Sequence, residues 1–294
     1  MSFELINHLN SPGWTEKNLS LGNTSNGAKT YSEAITKWYA PIFESVYKDR
    51  KTKVLLLTVT MENHPIKFNG YDKIFLFLHE CSWYRQPVVP RAKAFARKNS
   101  QSQVTFLVWN EDTKNKLVEA GLDAEFIPMG IDLEEVLSHK TNVPKYDKRL
   151  IYFGNLRRTK IHFFKYFKAA AQLAGWEVDY ISASKLNGGE KMNRDEVLKE
   201  LQKYKYGIGV GICAHEMAAL GLKVILFAYN FRCNCPYTKD EALYYVKRNL
   251  CSDNETKIPV PDALRDLDKM EYFPPVDIKS NQLLVKRICL KRLK

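Results

Sequence analysis

What this chain lacks narrows it first. It has no apolar stretch near the roughly 20 residues that a membrane-spanning helix needs. Its opening MSFELINHLNSPGW carries no basic flank running into an apolar segment, so no secretory leader is expected. Cysteine is sparse and scattered, with Cys81, Cys213, Cys233, Cys235, Cys251 and Cys289 in 294 residues. A chain of that length buries its own cores without disulfide staples, so reduced thiols and a cytoplasmic location are expected, with a peripheral place at a membrane surface as the variant. Cys233 and Cys235 stand one residue apart rather than in the C-x2-C pairing of zinc sites, and no metal or bound cofactor is expected. There is no G-x-S-x-G nucleophile signature, and GVGICAHE is too loose for a dinucleotide fingerprint. Neither a repeat with a period of about 20–50 residues nor a low-complexity tract is present. Acid is also short: 33 Asp and Glu against 45 Lys and Arg leave a formal charge of +12. Such a surface attracts polyanions such as nucleic acid, anionic headgroups or phosphorylated substrates, or it simply keeps the protein dissolved.

What is present alternates. VLLLTVTM (54–61), KIFLFLHE (73–80) and VTFLVW (104–109) are short apolar runs with polar or turn boundaries, as buried strands of a parallel sheet require. Around them, TYSEAITKWYAPIFESVY, PRAKAFARKNS and EDTKNKLVEAG read as amphipathic helices. The first 50 residues show no clear opening strand. SHKTNVPKYDKR then reads as a linker, and a second series follows: strand LIYFGN, helix IHFFKYFKAAAQLAG, strand EVDYIS, helix RDEVLKELQKY, strand YGIGVGI, helix AHEMAALG and strand KVILFAY. The expected class is α/β, with two Rossmann-like domains over residues 1–147 and 148–294. The C-terminal LLVKRICLKRLK is read as a helix that crosses back to the first domain, or as a basic surface-binding helix.

Ligands of open α/β sheets bind beyond the carboxyl ends of strands, at the point where strand order reverses. After Phe153 come Gly154, Asn155, Leu156, Arg157, Arg158, Thr159 and Lys160, ahead of a helix. Cations oppose the dipole at a helix start, a conflict that a bound phosphate removes. A solvated basic turn is the plainer alternative. In GVGICAHEMAALGLKVILF, three glycines thin a strand and its exit, and Glu216 is placed in the first turn of a short helix. There it either stabilises the helix start or accepts hydrogen bonds from vicinal hydroxyls such as those of a ribose.

IYFGNLRRTK resembles the phosphate-binding strand and loop of GT-B glycosyltransferases, and HEMAALGLKVI resembles their glutamate-alanine stretch before an apolar strand. VTFLVWNEDTKNKLVEAGLDAEFIPMGID is similar to the segment that closes their N-terminal domain, and the three occur in family order from Val104 to about Phe227. The resemblance implies a two-domain hexosyltransferase using a nucleotide-diphosphate sugar, uridine diphosphate glucose by default. It implies that Lys160 with Arg157 or Arg158, beside Gly154 and Asn155, holds the diphosphate and that Glu216 binds the donor ribose. The chain departs from the family where Ile208 stands eight residues before Glu216, the place of a second glutamate in retaining members, and where Asn155 replaces arginine. A single glutamate here is similar, more distantly, to phage DNA β-glucosyltransferases, which invert.

Inverting transfer needs a base within hydrogen-bond reach of the acceptor hydroxyl. FLFLHECSWY puts Glu80 and then His79 just past a strand as candidates, with Glu62, His64 and Glu111 behind them. For the acceptor, Trp83 and Tyr84 precede Arg85, Arg91, Lys93, Arg97 and Lys98, with no acid from Arg85 to Lys98. Trp83, Arg85 and Arg91 are therefore the acceptor-side candidates, facing either a nucleic acid or an anionic membrane. The alternatives are a phage-type glucosyltransferase of hydroxymethylated DNA bases, a glycolipid or polysaccharide glycosyltransferase at a membrane surface, and a non-catalytic nucleotide-sugar or nucleic-acid binding protein.

Overall fold

The structure is a computed structural model that describes residues 3–7, 26–47, 50–59, 67–78, 88–154, 156, 159–182, 190–227, 232–250 and 257–293. The chain divides into two compact α/β units, one of Met1–Pro128 with Lys279–Lys294 and one of Met129–Ile278.

The first unit is built on five parallel strands, β1 (Phe3–Asn7), β2 (Val54–Val59), β3 (Lys73–Leu78), β4 (Gln103–Val108) and β5 (Asp123–Phe126). Their spatial order is the chain order, without reversal. An opening strand does exist, contrary to the sequence expectation: β1 pairs in parallel with β2 from Phe3 against Val54 onward. It sits at the sheet edge, and its FELIN lacks the unbroken apolar run of a central strand.

Side-chain alternation sorts the helices of this unit onto two faces. Ile74, Leu76 and Leu78 cluster with Leu55, Leu57, Phe106 and Val108 beneath α2 (Val88–Lys98) and α3 (Glu111–Glu119), which contribute Phe95 and Leu117. On the other face, Phe75 and Phe77 meet the aromatic side of α1 (Asn26–Tyr47), where Tyr39 stacks on Phe77 with ring centroids 5.3 Å apart. The last helix, α10 (Ile278–Lys291), meets α1 at two points, with Tyr47 Oη donating to the Cys289 carbonyl and Gln282 to the Trp38 carbonyl.

The second unit has seven strands: β6 (Arg149–Phe153), β7 (Glu177–Ser182), β8 (Glu190–Lys191), β9 (Tyr206–Gly209), β10 (Lys223–Phe227), β11 (Arg232–Asn234) and β12 (Ile258–Pro259). They lie in the order β12-β11-β10-β9-β6-β7-β8, parallel except at β11 and β12. One face carries α5 (Thr159–Leu173) and α9 (Val260–Arg265) over Leu150, Tyr152, Tyr206 and Ile208. The other carries α4 (Leu133–Ser138), α6 (Arg194–Leu201), α7 (Ile212–Ala219) and α8 (Lys239–Val246) over Ile151, Phe153, Val224 and Leu226. The chain ends in α10 (Ile278–Lys291). Among the described residues no helix is long and apolar enough to cross a membrane.

From β6 the chain steps outward through β7 and β8, then returns to the opposite side of β6 as β9 and β10. The order therefore reverses between β6 and β9, and a ligand crevice belongs beyond their carboxyl ends.

Candidate functional site

Both strand exits at the reversal are shaped by glycine. Gly154, directly after β6, has φ 143°, a backbone region that residues with a Cβ rarely adopt. Across from it, Gly211, the residue just before α7, has φ 59°, and its N–H donates to the Leu250 carbonyl. β9 is thinned for a different reason. A Cβ on Gly207 would sit 2.4 Å from Met217 Sδ, and one on Gly209 would sit 2.7 Å from Met217 Cε and 3.1 Å from the Phe153 carbonyl oxygen. Glycine lets α7 seat closely on β9, and that seating fixes the residues of α7.

Cys213 and Glu216 lie three residues apart, on one face of α7. A Cβ on Gly154 would be 3.9 Å from Cys213 Sγ, so this face of the helix looks toward the β6 exit. Burial pushes the Cys213 thiol up to about 12, with the Glu216 charge adding to the rise and Lys160 opposing it. It is a protonated, unreactive thiol near neutral pH.

Glu216 is the centre of the site. The sequence placed it in the first turn, but α7 starts at Ile212, earlier than the apolar pattern suggested, and its first turn holds no acid. Glu216 is the fifth helical residue, so it does not cap the helix. Its side chain is 3% exposed, and Oε1 accepts from Arg194 Nη1 at 2.6 Å. Burial raises its pKa, and the Arg194 charge and hydrogen bond pull it back part of the way. Arg194 in turn donates from Nε to Glu135 Oε1 at 2.6 Å. Burial works against the Arg194 charge, but the two carboxylates outweigh it and hold its pKa above the usual guanidinium range.

Three elements thus meet at one guanidinium: Glu135 from α4, Arg194 from α6 and Glu216 from α7. Around them the α4–α6 seam is tied by His139 Nε2 to Asp195 at 3.2 Å, and by Gln202 donating to the His139 carbonyl at 2.8 Å. Asn193 and Glu196 form a reciprocal capping box that fixes the start of α6 beside Arg194.

Sequence reasoning missed Arg194 and Glu135. The available signal was the same one used for Lys160, a cation at a helix start, here just after the Asn193 cap. Lys160 itself, the second residue of α5, places Nζ 5.2 Å from the Phe227 ring centroid at the end of β10. Gly154, Lys160 and Glu216 are thereby gathered at the β6–β9 reversal. Asn155, Arg157 and Arg158 lie outside the described residues, as do His79, Glu80, Trp83, Arg85, Glu62 and His64. Arg91 belongs to α2 in the first unit, and Glu111 opens α3 behind an Asn110 cap that accepts from the Asp112 and Thr113 N–H groups.

Cys233 and Cys235 are both buried in the core under α5 and α9. Among the described residues no three or more His, Cys, Asp or Glu side chains are grouped to hold a metal ion. No family model, no curated protein sequence and no solved structure matches this chain.

Proposed function

We propose that this chain is a glycosyltransferase of the two-domain GT-B kind, which binds a nucleotide-diphosphate sugar beyond β6 and β9 and passes its hexose to a hydroxyl acceptor. The observation that carries this reading is Glu216: a buried carboxylate at the strand-order reversal, with Oε1 taken by Arg194 and Oε2 accepting no hydrogen bond from any described residue. A carboxylate so placed suits the vicinal hydroxyls of a ribose. Gly154 and the start of α5 with Lys160 suit the diphosphate, and Arg157 and Arg158 of the same segment add charge. In transfer, the acceptor oxygen bonds to the sugar C1 as the C1–phosphate oxygen bond breaks. The acceptor proton passes to a base, for which Glu80 and His79 are the candidates, and cations stabilise the leaving diphosphate.

Lys93, Arg97 and Lys98 are exposed on α2, a helix without acid, which favours a polyanionic acceptor such as DNA carrying a hydroxymethylated base over a neutral one.

The test is a thermal-shift panel of nucleotide sugars on wild type, Lys160→Ala and Glu216→Ala. A donor at about 100 times its Kd adds roughly 2.7 kcal/mol, which moves Tm by several degrees. One donor is expected to produce that shift in wild type and to lose it in both variants. No shift with any donor, or an equal shift in Glu216→Ala, overturns the donor site.

A further inference from the structure

We infer that Arg194 is a positioning residue: clamped by Glu135, it sets the charge and the aim of the Glu216 carboxylate and so makes the site select ribonucleotides over deoxyribonucleotides. The inference rests on the proposed donor site and adds to it the device that reads the sugar of the nucleotide.

The geometry is a chain with one loose end. Glu135 Oε1 fixes Arg194 Nε at 2.6 Å, and Arg194 Nη1 fixes Glu216 Oε1 at 2.6 Å. Only the inner end is deeply buried, with the Glu135 side chain 39% exposed and the Arg194 side chain 48%, against 3% for Glu216. A surface ion pair alone would do little. Here, however, the deep end is a carboxylate with no other compensating partner among the described residues, and the outer carboxylate holds the guanidinium that reaches it. Arg194 also sits at the first position of α6, where a cation opposes the helix dipole, so its location is unfavourable unless both carboxylates face it.

The chemical consequence concerns the two hydroxyls of a ribose. An ionised carboxylate accepts from both, whereas a carboxylic acid spends one oxygen as a donor. Desolvation drives Glu216 toward the acid form, and Arg194 is the nearest group that opposes it. Among the described residues the groups facing Glu216 are Arg194 from α6, which lowers its pKa, Glu135 from α4, whose charge raises it, and, on its own helix, Cys213, which also feels Lys160 from α5. Only Arg194 among them bonds to Glu216. A deoxyribose leaves a buried, charged acceptor without its donor, a loss of about ten- to a hundredfold in affinity.

The experiment measures Kd by titration calorimetry for paired nucleoside and 2′-deoxynucleoside diphosphates of the four common bases, from pH 6 to 8. The proteins are wild type, Arg194→Gln, Arg194→Lys and Glu216→Gln. Wild type is expected to prefer one ribonucleotide over its deoxy partner by about tenfold or more. Arg194→Gln should bring the two within about twofold. Its ribonucleotide preference should also weaken more steeply than that of wild type as pH drops, because Glu216 without its counter-ion takes up a proton more readily. Arg194→Lys keeps the charge and should restore the wild-type profile.

An unchanged ratio and profile in Arg194→Gln overturns the inference. If Glu216→Gln nevertheless weakens ribonucleotide binding, the donor site stands and only the role of Arg194 falls. If no ribonucleotide binds wild type, or Glu216→Gln binds as wild type does, the donor site and the inference fall together. Should Arg194→Gln not fold, as judged by its circular dichroism melt, Glu135→Gln takes its place, with a smaller loss of discrimination expected and an unchanged ratio overturning the inference.

Discussion

His215 follows a different rule from its neighbour Glu216. It is fully buried in α7, and neither ring nitrogen has a hydrogen-bond partner. Burial pushes its pKa down to about 4 from 6.5. The unfolded chain therefore binds a proton between those values that the folded chain refuses, and stability present above pH 6.5 is lost as pH falls toward 4. The raised pKa of Glu216 acts in the opposite sense, favouring the folded state at low pH, so the His215 effect must be read as a difference between proteins. His215→Leu is expected to match or exceed wild type at pH 7, since it replaces an unpaired buried polar group with an apolar one. At pH 5 it should lead by about 2 kcal/mol in urea unfolding; parallel pH curves for the two proteins would contradict this. Gly154, Lys160 and Glu216 were picked out in the sequence because Gly154 directly follows an apolar strand and the other two lie in the segments that leave such strands. Arg194 and Glu135 were not. NRDE reads locally as a helix cap and absorbs the arginine, and its meaning appears only when α4, α6 and α7 converge.

At the scale of elements, the fit of α7 on β9 leaves no room for a methyl at Gly207 or Gly209. Gly209→Ala puts a methyl against both Met217 and the Phe153 backbone, whereas Gly207→Ala meets only the Met217 and Leu222 side chains. Each should cost about 1–3 kcal/mol by overpacking. In double-mutant cycles with Met217→Ala, measured by denaturant midpoint, Gly207→Ala should couple strongly, while Gly209→Ala keeps part of its penalty because a carbonyl cannot yield. Additive behaviour of Gly207→Ala with Met217→Ala would rule out this account of the strand. Most central strands were readable, because parallel strands covered on both faces are written as unbroken apolar runs such as VLLL and KVILF. β5, β8, β11 and β12 were not. They are short or lie at edges, and DAEF of β5 carries Asp123 and Glu125 on the face that α10 covers with an arginine.

At the scale of the whole chain, that arginine closes the first unit. Arg292, 7% exposed, donates to Asp123 Oδ1 at 2.5 Å and to Glu125 Oε1 at 2.9 Å, and its Nε also reaches Thr105. Lys73 of β3 bonds to the Arg292 carbonyl from the same side. Arg292→Met should lower unfolding stability by about 2–3 kcal/mol, less than for a wholly buried pair because Asp123 is 37% exposed. Asp123→Asn with Glu125→Gln in the same protein should recover most of that loss. A loss under about 0.5 kcal/mol for Arg292→Met would show instead that solvent already screens the cluster. A run such as LLVKRICLKRLK announces a basic helix, but a sequence alone does not say which strands its buried side meets. The first unit draws on both ends of the chain, Met1–Pro128 and Lys279–Lys294, with the second unit threaded between them. On a ribosome, which releases the chain from its N-terminus, the half made first must wait for the last helix. By then all of Met129–Ile278 has already been made. The residues of the candidate donor site are thus all in place along the chain while the older sheet still lacks the cover that Lys279–Lys294 brings.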